Sequence, residues 1–104
     1  MVPHALFEKT GGFDEHYFLF NEDVDLCRTI HQNGFKVMYL PSAKITHHIS
    51  TSNSRVPVNI IIKRHLGMSH YFGKHHGENF IVRMVINIAI SLRCLSQLAF
   101  NIFK

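Results

Sequence analysis

Apolar and polar positions divide the chain into short segments of recognisable period. Residues 3–9, around Ala5-Leu6-Phe7, read as a short helical or irregular piece ended by Gly11-Gly12. Phe13, Tyr17, Phe18 and Phe20 follow, an aromatic run that needs a core or a ligand to cover it. Val24, Leu26, Cys27 and Ile30 then recur at helical spacing. Acids stand in the first turn of that stretch, where the helix dipole favours negative charge. The pattern predicts a helix from about Glu22 to Gln32, stopped by Asn33-Gly34. Residues 35–40 read as a strand bounded by Pro41, and residues 43–48 as a second short strand. Residues 50–54 are a polar loop. Pro57 suits the start of a helix over residues 58–72, and residues 73–77 look like a break.

Residues 79–103 predict a final helix with two unlike faces. Arg83, Asn87, Ser91, Arg93, Gln97, Asn101 and Lys104 fall on one side. Ile81, Met84, Val85, Ile88, Leu92, Leu95, Ala99, Ile102 and Phe103 fall on the other. The uncharged run between Arg83 and Arg93 has nine residues, and a membrane span needs roughly 20. The pattern therefore predicts a helix lying in the plane of an anionic membrane surface, or one whose apolar face packs on the rest of a domain.

Composition narrows the class. The chain has 104 residues, of which 46% are hydrophobic and 17% charged, as in a globular domain or part of one rather than a disordered segment. Its two cysteines, Cys27 and Cys94, lie far apart and form neither a disulfide framework nor zinc spacing, which points to a reducing compartment. Residues 1–12 lack the apolar run of a secretion leader and read as the interior of a domain. The net charge of +4 hides a split. Residues 1–25 carry six acids against Lys9, whereas residues 26–104 carry ten Lys or Arg against Glu78 alone. The acids mark a candidate edge for metal or proton chemistry, and the basic remainder a surface that meets anions. These bases are spread rather than clustered, so nucleic acid is not an expected partner. Nine histidines include the pairs His47-His48 and His75-His76. No H-E-x-x-H occurs, and neighbours on a strand point to opposite faces, so neither pair forms a ready chelate.

The most specific local signal is Gly11-Gly12-Phe13-Asp14-Glu15 followed by Glu22-Asp23-Val24-Asp25-Leu26-Cys27. Carboxylates at a helix N-terminus stay ionised, which suits a general base or a hard metal ion. They also serve simply as dipole-matching caps. Together with Asn33-Gly34-Phe35, with Pro41-Ser42-Ala43 leading to His47-His48, and with Ser52 beyond, these runs resemble family 2 glycosyltransferases. The likeness is to the rhamnosyltransferase-like branch, which builds bacterial cell-surface polysaccharide, and it covers about residues 5–76.

The resemblance implies an α/β fold: a partial GT-A domain, its acceptor-side half, followed by the amphipathic C-terminal helix. Residues 1–78 would be that half and residues 79–104 the membrane-associating helix. It implies an inverting transferase of hexosyltransferase type, with a nucleotide-sugar donor and a saccharide or lipid-linked acceptor. A divalent metal, Mg or Mn, would hold the leaving diphosphate. Asp23 matches the base position and Glu22 is its neighbour in the motif, while Asp25 is assigned to supporting the helix start. Gly11 and Gly12, with Phe13, Asp14 and Glu15, match the turn beside the acceptor. His47, or His48 beside it, matches a position that meets metal or diphosphate. The donor-binding half with its D-x-D is expected to precede this segment, since no D-x-D stands before Gly11. Ile49 and Ser50 occupy positions where the family often has glycine. Alone, the chain is expected to bind donor poorly and turn over little. The expected location is the cytoplasmic face of the cell membrane. The alternative reading is a non-catalytic membrane-peripheral module, or a decayed remnant.

Overall fold

In the computed structural model, which describes residues 1–46 and 56–103, four helices follow one another: α1 (His4–Lys9), α2 (Glu22–Gln32), α3 (Val58–His76) and α4 (Phe80–Phe103). Leu6 of α1 packs on Leu26 and Ile30 of α2, with Phe7 against them. Burying each such side chain contributes about 1.5–3 kcal/mol. Gly11 and Gly12 turn the chain out of α1 with φ of 81° and 70°, in the left-handed region that favours glycine. A Cβ on Gly12 would also stand 3.1 Å from the Phe7 ring. α2 covers its expected range, and Gly34, at φ 85°, takes the left-handed position just beyond it.

The aromatic run finds its cover on α3. The Lys63 ammonium lies 3.2 Å from the centre of the Phe18 ring, and the Arg64 guanidinium 4.6 Å from that of Phe20. Tyr17 is buried, and Gly67 of α3 lets Asn21 and Tyr17 approach closely. Phe20 and Asn21 both adopt positive φ, 66° and 71°, to turn the chain into α2.

The α/β expectation, a partial GT-A fold, is overturned. No strand forms among the described residues. Residues 35–40 and 43–46 are irregular and exposed, with Met38, Tyr39 and Ile45 more than 80% accessible. The physical reason is that strand propensity expresses fit to a pleated, half-buried surface and not an intrinsic backbone preference. A strand needs a neighbour to take its N–H and C=O groups, and among the described residues none lies beside these. His47, His48 and the expected polar loop at residues 50–54 lie outside the described residues.

A second correction concerns residues 73–77. The helix does not break at Gly73 but continues to His76. Gly73 lies against the Arg83 guanidinium, which would stand 3.7 Å from a Cβ there. The extra turn carries Lys74 and His75 back towards α2, where they meet its acids.

α3 and α4 form an antiparallel hairpin across Gly77-Glu78-Asn79. Asn79 caps α4 by accepting the Ile81 and Val82 N–H groups through its side-chain oxygen. Ser69 donates to the Asn87 side chain at 2.7 Å, and the Asn101 side chain donates to the Val56 carbonyl at 3.0 Å. The partly covered positions of α4 are Ile86, Asn87, Ile90, Cys94, Gln97, Leu98 and Asn101. The side turned to α3 is therefore mixed, apolar at Ile86, Ile90 and Leu98 and polar at Asn87, Gln97 and Asn101. Met84, Val85, Ile88, Leu92, Leu95, Ile102 and Phe103 point away and are exposed. By length and composition alone Phe80–Phe103 is apolar enough to cross a membrane, with Arg83 and Arg93 lying within it.

Candidate functional site

Asp14 follows the glycine turn, and Asp25 stands in the first turn of α2. Eleven residues separate them in the chain, yet both carboxylates reach the same ammonium. Lys74 Nζ lies 2.9 Å from Asp14 Oδ2 and 2.8 Å from Asp25 Oδ2. His75 Nε2 donates to Asp25 Oδ1 at 2.6 Å, and the Tyr17 hydroxyl donates to the same oxygen at 3.2 Å. Asp25 and His75 are both nearly closed to solvent, with side chains 3% and 4% accessible. Asp14 also accepts the His16 backbone N–H at 3.0 Å and the rings of His16 and His70 at 2.7 and 3.2 Å.

The charges are mutually adjusted. The hydrogen bond from Lys74 holds the Asp14 carboxyl well below the usual carboxylate range; partial burial opposes this, and His16 and His70 add to it. Burial opposes ionisation of Asp25, but hydrogen bonds from Lys74, His75 and Tyr17 outweigh it and keep the pKa below the ordinary value. For Lys74, burial likewise opposes the charge, and the two carboxylates raise its pKa in spite of it. Burial, and next the Asp25 charge, push the Tyr17 phenol well up, so it stays a donor.

Between the glycine turn, the Asp25–Thr29 side of α2 and the end of α3 lies an open cavity of about 510 Å³. Gly11, Gly12 and Asp14 line it with Asp25, Lys74 and His75. Thus the structure brings together three of the residues singled out in the sequence. Phe13 is half exposed, edge-on to Phe7 at 5.5 Å, and Glu15 is exposed. Glu22 is half-buried, with Oε2 enclosed and unpartnered among the described residues. Asp23 is exposed on α2, where its Oδ1 accepts the Val24 N–H at 2.8 Å. Asp25, assigned from sequence to the helix start, is instead the buried centre of the cluster. Tyr17, His70, Lys74 and His75 were missed. Their signal was the spacing of four between His70 and Lys74, which places both on one face of α3 only if the helix passes Gly73.

His47 and His48, which the resemblance links to a divalent metal or diphosphate, lie outside the described residues. Asp25 is sealed against Lys74 and His75, whereas Asp23 faces solvent. Among the described residues, Asp14, His16 and His70 offer ligand atoms within 4.8 Å of one another.

Comparison with known proteins finds that part of the chain is similar to part of two rhamnosyltransferases. It is 34% identical over 76 residues to the N-acetylglucosaminyl-diphospho-decaprenol L-rhamnosyltransferase of Mycobacterium tuberculosis, a match covering 73% of this chain and 25% of that protein. It is also 34% identical over 53 residues to the rhamnosyltransferase WbbL of Escherichia coli, covering 51% of this chain and 20% of the relative. The chain thus spans about a quarter or less of the curated relatives it matches. No protein-family model matches it, and no solved structure matches significantly.

The cluster sets an acid limit on stability. Both aspartates titrate lower in the folded than in the unfolded chain, so the unfolded state takes up protons first as pH falls. Their contribution is full above the unfolded aspartate pKa of about 3.9 and is lost as pH drops below it towards the folded values. The Lys74 contribution, with a raised folded pKa, is full below the unfolded lysine pKa of about 10.4 and is lost only above it. Urea unfolding should therefore show a marked loss of stability between pH 5 and pH 3. A midpoint unchanged at pH 3 would contradict the pairing.

Proposed function

We propose that this chain is the acceptor-side part of an inverting family 2 glycosyltransferase. In this reading the enzyme moves a sugar from a nucleotide-sugar donor to a saccharide or lipid-linked acceptor in cell-surface polysaccharide synthesis. The observation that carries the reading is the likeness to the two rhamnosyltransferases, together with a cavity that gathers Gly11, Gly12, Asp14 and Asp25 from the quoted motifs.

The division of carboxylates supports Asp23 as the base. An acceptor hydroxyl is a weak nucleophile, and a base must offer it a free lone pair within hydrogen-bond reach. Asp14 and Asp25 are committed to Lys74 and the histidines, and so serve to position the turn and α2. Asp23 keeps Oδ2 free at an exposed helix start, with Glu22 beside it. The hydroxyl oxygen attacks the anomeric carbon, its proton passes to Asp23, and the nucleoside diphosphate departs from the opposite face. His47 and His48 remain the proposed contacts to that diphosphate or to its divalent metal, and Gly11 to Glu15 the turn beside the acceptor. A chimaera tests this: the matched segment of this chain replaces the corresponding part of the mycobacterial relative. Transfer should persist, and Asp23→Asn should lower kcat by about 10²–10⁴-fold. An unchanged kcat would remove Asp23 as the base, and an inactive but folded chimaera would remove the glycosyltransferase reading.

We also propose that α4 lies in the membrane surface rather than across it. Most of its apolar side is exposed, only a mixed strip is turned to α3, and it carries no acid to repel anionic lipid. Arg83 and Arg93 of α4 itself are exposed, as contact with anionic headgroups requires. This supports the cytoplasmic, peripheral location. The full chain should co-float with anionic vesicles, and Ile88→Glu with Leu92→Glu should weaken binding by about tenfold or more. Equal flotation of that variant would contradict the proposal.

A further inference from the structure

Two imidazoles and a carboxylate converge where the glycine turn meets α3. His16 Nδ1 lies 2.7 Å from Asp14 Oδ1, and His70 Nε2 lies 3.2 Å from Asp14 Oδ2. The two rings stack, with centroids 5.1 Å apart and planes 19° from parallel. The edge of Tyr17 meets His70 at 5.0 Å, so the His70 ring is held between two aromatic neighbours. The Asp14 carboxylate is itself fixed, by the His16 backbone N–H at 3.0 Å and by Lys74 at 2.9 Å. Ligands oriented by such outer contacts are what a preformed metal site requires.

We propose that Asp14, His16 and His70 bind one divalent ion of the zinc class. Their ligand atoms all lie within 4.8 Å of one another. Zinc holds His nitrogen at about 2.0–2.1 Å and carboxylate oxygen at about 2.0–2.2 Å, so small side-chain rotations close the shell. Two nitrogens and one oxygen suit zinc or cobalt, whereas magnesium prefers oxygen ligands in an octahedral shell. In the ion-free chain each ring satisfies the carboxylate through an N–H; the ion would take the place of both protons. The two protein segments it joins are 56 residues apart in sequence, so binding ties the turn before α2 to α3. Three protein ligands leave a fourth position open beside the exposed His16 ring. The site is separate from Asp23 and does not rest on the glycosyltransferase reading.

Cobalt(II) titrated into the full chain tests this through its visible absorption, with zinc as competitor and thermal unfolding as a second readout. One equivalent should bind, zinc should displace it, and zinc should raise Tm. His16→Ala should weaken binding by at least the roughly 10–100-fold that loss of an outer-shell partner costs, and should abolish the rise in Tm. The His16 side chain is 78% accessible, so its removal leaves the fold intact. His4→Ala, at an exposed histidine of α1, should change nothing. Wild-type cobalt affinity in His16→Ala, or no stoichiometric binding by the wild type, would overturn the proposal.

Discussion

The Lys74 ammonium, held between Asp14 and Asp25, is the contact on which the arrangement of the first half of the chain depends. It joins three segments that have little apolar surface in common: the glycine turn, the start of α2 and the end of α3. The apolar core is small, with Leu6, Leu26 and Ile30 on one side and Ile61 of α3 on the other. A partly buried ion group of this kind is sensitive to loss of its cation, because removing Lys74 leaves two neighbouring carboxylates without their shared counter-charge. It also fixes which acids are free. Asp14 and Asp25 are tied into the fold, and Asp23, two residues before Asp25, is left available for chemistry.

The second half follows a different constraint. α4 bonds Ser69 and the Val56 carbonyl of the α3 segment through the Asn87 and Asn101 amides and displays most of its apolar side. That is the reverse of a helix covering a soluble core. The Cα radius of gyration, 16.6 Å, exceeds the roughly 13 Å of a compact domain of 100 residues.

Features set by local chemistry were legible in the sequence. The acids that open α2, the Gly34 that ends it and the paired glycines of the turn each act through their immediate neighbours. Features that need a distant partner were not. Residues 35–40 carry the composition of a strand but have no partner strand among the described residues. Gly73 reads locally as a breaker, yet Arg83 packs on it and the acids of the turn and α2 draw the last turn of α3 into place. Asp25 had a sufficient local explanation in the helix dipole, which hid its role as the buried centre of the cluster. Half of the candidate site, the glycine turn and Asp14, was visible beforehand; the half contributed by α3 was not.

A double-mutant cycle between Asp25→Asn and Lys74→Met, read by urea unfolding at pH 7, tests the central contact most directly. Hydrogen bonds to charged groups contribute about 1.5–3 kcal/mol, and the 37% accessibility of Lys74 lowers that through solvent screening. A coupling of about 1–2 kcal/mol is therefore predicted. Additive effects, with coupling below about 0.3 kcal/mol, would show that the two residues stabilise the fold independently and would contradict the account.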